Sequence, residues 1–226
     1  MQYYTMLKKT GDINLFAIVH NVFVENGPFF LPIFSAVFFT DTIVNEFKQK
    51  TLSILFSSTI SREEIFIGKF LGASVVLSII FMGLLIISTI FASLVGDIEN
   101  ISIGFFAISY GEALIRILTI AVLTLLFLIC VGSYVFLIGA ITKNQLITIF
   151  ILLLTILFNG IPFLSYYSTI NTFIRKYSFA KGLYIAHIFE TYEIPYIDVL
   201  ILIMIQLLHI LIFIRVGMSV FKKRQI

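Results

Sequence analysis

Residues 70–95 read FLGASVVLSIIFMGLLIISTIFASLV and contain no charged side chain. As a helix they reach about 39 Å at 1.5 Å per residue, enough to cross a hydrocarbon layer of roughly 30 Å. A run with no polar face has no side to turn toward water, so it reads as a membrane span. Residues 117–141 (ILTIAVLTLLFLICVGSYVFLIGAI) repeat the pattern without a charge. Residues 197–214 (IDVLILIMIQLLHILIFI) do so with Asp198 at their start. A fourth run, 146–164, ends at Asn159, Gly160 and Pro162, where a helix stops or bends. A fifth, 29–44, is short and carries Pro32 and Asp41; it spans only by continuing past Asn45 or where the bilayer thins.

Composition agrees with the runs. Mean hydropathy is +1.09 and 12% of the 226 residues are charged, about half the share in soluble domains. The fold expected is therefore all-α, a polytopic integral membrane helix bundle with about five visible spans. Nothing points to nucleic acid. The single cysteine, Cys130, lies inside an apolar run and reads as packing. His20, His187 and His209 fall in separate regions without metal-ligand spacing, and Glu63 and Glu64 occupy a capping position. No catalytic constellation and no metal site is expected, which disfavours an intramembrane enzyme.

Basic residues set the orientation. Placing 45–69 inside the cell puts Lys48, Lys50, Arg62, Lys69, Lys143, Arg215, Lys222, Lys223 and Arg224, nine of fifteen, on the cytoplasmic side. The loop 96–110, with Asp97 and Glu99 and no base, falls outside. A cytoplasmic C-terminus in a multi-pass cell-membrane protein is expected. Residues 1–28 are then external, with an apolar piece at 13–24 too brief to cross and no secretory pattern. Either a further span precedes this segment or it lies on the outer surface, the former being favoured.

The stretch leading into the first run, NEFKQKTLSILFSSTISREEIFIGK at 45–69, is polar where its neighbours are not. Phe47, Thr51, Ile54, Leu55 and Ser58 share one helical face, which predicts a short amphipathic helix at the membrane surface. Ser61 followed by Glu64 predicts a capping box opening a second helix, with Glu63 and Glu64 complementing its dipole. Gly68 and Gly72, spaced as GxxxG, would admit a close helix neighbour. Glu112 and Arg116, four apart, predict an ion pair on one helix face. Gln206 and His209 in the last run could contact substrate or bond across helices.

The order Glu46, Thr51, Leu55, Ser61–Arg62, Gly68–Lys69 resembles the permease subunits of type 2 ATP-binding-cassette exporters. There a Glu, a Gly-Thr, a Leu-Leu, a Pro, a Ser-Arg and a Gly-Lys lead into the third span. Here Lys50 takes the Gly place and Thr59 stands near the Pro. The terminal FKKRQI is also similar, with Gln225 where an acid is usual. The resemblance implies a six-span permease fold of which this chain supplies the second to sixth spans. It implies that 45–58 is a coupling helix docking on a cytoplasmic ATP-binding-cassette ATPase, with Glu46, Phe47, Thr51, Leu55, Arg62 and Lys69 at that contact. It further implies short re-entrant helices within the tyrosine-rich 165–196. The chain has no GxxxxGK[ST] loop, so ATP and Mg would be held by the partner ATPase and no cofactor by this chain. A second permease protomer, identical or not, would complete the assembly. The function implied is outward movement of a hydrophobic or amphipathic compound (peptide, antibiotic or lipid), the alternative being a non-transporting immunity or sensor protein.

Overall fold

A computed structural model describes residues 15–27, 29–49, 61–96, 101–103, 106–160, 182, 185, 189 and 196–223. The described elements are α1 (Leu15–Asn26), α2 (Phe30–Gln49), α3 (Arg62–Val95), a minimal hairpin of β1 (Ser102–Ile103) and β2 (Phe106–Ala107), α4 (Tyr110–Thr142), α5 (Gln145–Gly160) and α6 (Tyr196–Lys223). The architecture is an all-helical polytopic bundle. Three helices, α3, α4 and α6, are long and apolar enough to cross a membrane, and α2 and α5 carry shorter apolar stretches.

The helix ends follow from local chemistry. Ser61 Oγ accepts from the Glu64 amide at 3.2 Å while Glu64 Oε2 accepts from the Ser61 amide at 2.8 Å, the reciprocal box the spacing predicts. Ser109 caps α4 with its side chain alone, accepting from the Glu112 amide at 3.2 Å. Between α4 and α5 the chain turns on Lys143, whose φ of 53° is left-handed. Its amide closes on Gly139 O at 2.9 Å, and Asn144 Oδ1 then accepts from the Leu146 amide at 3.0 Å to start α5. α2 does not stop at Val44. It runs on to Gln49, so a single helix about 30 Å long enters the connector.

α4 is the core of the bundle. In its most apolar window 56% of residues are buried, against 22% in α3 and 17% in α6, whose remaining surfaces face outward with Leu, Ile and Val. Small side chains allow this. Gly132 lies under the Phe39 ring of α2, so close that a Cβ would overlap it. Ser35 of α2 donates to Leu128 O of α4 at 2.8 Å, and Tyr134 of α4 meets Thr155 of α5 at 3.0 Å. By contrast Gly68 and Gly72 face open space, so their GxxxG is not used for packing by the described residues.

Residues 15–26, expected in an external segment, form α1. It is built into the bundle through Leu15, Phe16, Val19 and Phe23, with the Phe23 ring 6.2 Å from that of Phe81 in α3.

Candidate functional site: the base of α3 and the interior beneath Gly182

The start of α3, the connector-side ends of α4 and α6 and the middle of α2 share one aromatic cluster. Phe66 and Phe70 lie in the second and third turns of α3. Phe66 meets Phe136 of α4 at 4.8 Å and Phe221 of α6 at 5.4 Å; Phe70 meets Phe39 of α2 at 5.5 Å and Phe136 at 5.8 Å. Tilted and edge-on rings at these separations add to the gain from burial. Four helices are thereby joined where α3 begins.

A polar latch sits below the rings. Lys222 Nζ lies 2.8 Å from Glu63 Oε1, and Arg62 Nη1 donates to Lys222 O at 3.3 Å, so the first turn of α3 is held to the last turn of α6. The hydrogen bond and charge of Lys222 lower the Glu63 pKa from its ordinary value, and Arg215 lowers it further. The Glu64 pKa is lowered by the hydrogen bonds from Ser61. Glu63, Arg215, Met218, Ser219 and Lys222 line a cavity of about 290 Å³.

The expected contact residues are distributed unevenly. Arg62 and Lys69 stand two turns apart on one side of α3, both half-buried. Glu46 and Phe47 belong to the last turns of the α2 backbone, and their side chains lie outside the described residues, as do Thr51 and Leu55 altogether. Glu63, Phe66, Arg215 and Lys222 were not legible as a set. Glu63 and Lys222 are 159 positions apart, and no local spacing joins them.

A second concentration of polarity lies in the interior. Gln206 of α6 is 0% exposed and its amide has no hydrogen-bond partner among the described residues. Gly182 stands over it: a Cβ there would be 2.7 Å from Gln206 Nε2 and would overlap the Phe127 ring of α4. Gln206 is about 15 Å along α6 from Tyr196, so the chain at Gly182 reaches deep between α4 and α6. His209, one turn on, is turned to its own helix, its Nδ1 2.7 Å from Ile205 O and its ring near Phe213. The structure thus separates the two polar residues of this run. Farther out, Arg116 is 1% exposed; its guanidinium bonds Glu112 at 2.8 Å, the pair the spacing predicts, and donates to Phe189 O at 3.2 Å. Arg116 therefore ties the segment before α6 to the start of α4, a contact 73 positions apart that the sequence does not disclose.

The family described as ABC-2 family transporter protein matches residues 2–226. The chain belongs to the ABC-2 transporter family. It is a multi-pass membrane permease subunit of an ATP-binding-cassette transporter, a family whose permeases partner a separate ATP-binding-cassette subunit. No curated protein and no solved structure matches it.

Proposed function

We propose that this ABC-2 permease exports a hydrophobic or amphipathic compound, driven by ATP hydrolysis on a separate cytoplasmic ATPase. The base of α3 is the input. The carrying observation is the joint at that base. Phe66 and Phe70 pack on α2, α4 and α6 while Arg62 and Glu63 hold α6, so a displacement of the connector is transmitted to four helices as a rigid body rather than absorbed locally. In this reading 45–58 docks on the ATPase with Glu46, Phe47, Thr51 and Leu55 facing it, and Arg62 and Lys69 orient the contact. The C-terminus is cytoplasmic, the membrane is the cell membrane, and two protomers share two ATPases that carry the ATP and Mg.

Two features support a hydrophobic or amphipathic cargo. A cavity of about 570 Å³ between α1, α2 and α3 is lined by Phe23, Phe30, Phe34, Phe81 and Phe91 with Ser88 as its polar point. Gln206, beneath Gly182, offers one amide to a group that reaches the interior.

Replacing Leu55 with Asp should abolish co-purification with the ATPase while leaving insertion intact, because a charge is expensive to bury in a docking groove. ATP-dependent efflux by the assembled wild-type complex is expected as well. Unchanged association of Leu55→Asp would remove the coupling assignment, and association without efflux would favour the immunity or sensor alternative.

A further inference from the structure

The cavity between the first turn of α3 and the last two turns of α6 has a chemistry that docking of an ATPase does not require. Arg215, Met218, Ser219 and Lys222 recur at i, i+3, i+4 and i+7, so they form one stripe of α6, facing Glu63 of α3 across about 290 Å³. Lys222 is bound to Glu63. Arg215 makes no hydrogen bond or ion pair among the described residues and feels Glu63 only through its charge, so Arg215 and Lys222 against the one carboxylate leave the cavity a net positive charge, with the guanidinium beside the Ser219 hydroxyl. That pair is a donor set for a phosphate: a planar fork and one O–H.

The surroundings choose the source of the phosphate. Going back along α6 from Arg215, Ile212, Leu211 and Leu208 lie on the same face at three, four and seven residues, and all three are exposed. On α3, Ile67 and Leu71 lie one and two turns beyond Glu63 and are exposed too. Arg215 is thus where the apolar surface of α6 ends and the polar cavity begins. A soluble anion would have no use for the strips above; a phospholipid would lay its acyl chains along them with its phosphate at the Arg215 guanidinium. We propose that this cavity is a binding site for the headgroup of an anionic phospholipid, with Arg215 and Ser219 taking the phosphate and Lys222 held in place by Glu63. A bound lipid would bridge α3 and α6 next to the latch. Basic pockets between helices at the membrane surface are suited to such headgroups.

The chain contains no tryptophan, so Leu211→Trp, on the exposed apolar strip, gives this chain a single reporter. The permease is placed in vesicles of phosphatidylcholine with increasing fractions of brominated phosphatidylglycerol or brominated phosphatidylcholine, and quenching is followed. The phosphatidylglycerol is expected to be preferred by about fivefold, the scale of one basic side chain at a membrane surface. In this background Arg215→Gln should bring the ratio to about one, Arg215→Lys should keep much of the preference, and Lys223→Gln, outside the cavity, should leave it intact. Glu63→Gln, which removes the acid from the cavity, should raise it. Equal quenching by the two lipids overturns the proposal. So does a loss in Lys223→Gln as large as in Arg215→Gln, which marks a diffuse basic rim. A weakened preference in Glu63→Gln also overturns it. If inorganic phosphate at matched ionic strength shifts thermal unfolding while no lipid preference is found, the cavity takes a soluble anion and the lipid assignment fails.

Discussion

At the scale of the residue, Ser61 is where the connector becomes α3. Its hydroxyl and amide satisfy Glu64 reciprocally, and removing the hydroxyl leaves an orphan amide in the first turn. Ser61→Ala should cost about 1 kcal/mol. Cys130, the chain's one cysteine, is buried, so a dye that fluoresces on reaction with its thiol reports unfolding directly; a midpoint equal to wild type would show that the cap does not limit stability. Glu63 behaves differently. Its folded pKa is depressed by Lys222, so the Glu63–Lys222 contact stabilises above the ordinary carboxylate value of 4.5. The contribution fades as pH falls through the lower folded value. The gap between wild type and Glu63→Gln in the same assay should therefore be present at neutral pH and close on acidification below about pH 4. A gap that persists there would mean that Glu63 acts through packing rather than charge. Because both groups are exposed, the gap itself should be small and shrink with salt.

At the scale of the element, α4 shows what a sequence discloses about a membrane helix and what it does not. Its existence is written in 117–141, where no charge interrupts the apolar run, and the Glu112–Arg116 spacing identifies its polar start. Its central position is not written there, because the residues that meet lipid and those that meet protein are equally apolar. Gly132 is the decisive residue: it brings α2 close enough for Phe39 to lie on the α4 backbone. The GxxxG of α3 carries the stronger pattern yet faces open space, since spacing fixes which side of a helix is small but not what stands opposite. Likewise the amphipathic spacing after Asn45 predicts a helix, whereas the union of its first residues with α2 depends on the backbone continuing to Gln49. Gly132→Val should force Phe39 out of its site and cost about 1–3 kcal/mol, measured as an earlier reaction of Cys130 on heating. Gly68→Val, facing no neighbour within the described chain, should leave the midpoint of the isolated permease near wild type. Equal effects of the two would contradict the packing described.

At the scale of the whole molecule, the proposed function puts the joint at the base of α3 and the buried amide of Gln206 at two ends of one path. The proposed input is the cluster in which Phe66, Phe70, Phe136 and Phe221 hold the helices together. Gly182 stands over the interior, and Arg116 holds Phe189 O. A buried amide with no partner among the described residues costs about 1–3 kcal/mol on that footing, and the bundle would then be more stable with Leu at that position. If Gln206 serves the transported compound, stability and transport should move in opposite directions when it is replaced. Gln206→Leu is expected to raise the unfolding midpoint by the equivalent of about 1 kcal/mol or more. At the same time it should lower ATP-dependent efflux by about tenfold, the loss of one good interaction, with ATPase association unchanged. Gly182→Val, which crowds Phe127 and Gln206, should lower both stability and efflux. Efflux that survives Gln206→Leu would assign the amide to a role in assembly rather than in the path of the compound. A lowered midpoint in that variant would show that the amide is bonded in the working transporter and that Gly182 rests on a satisfied group.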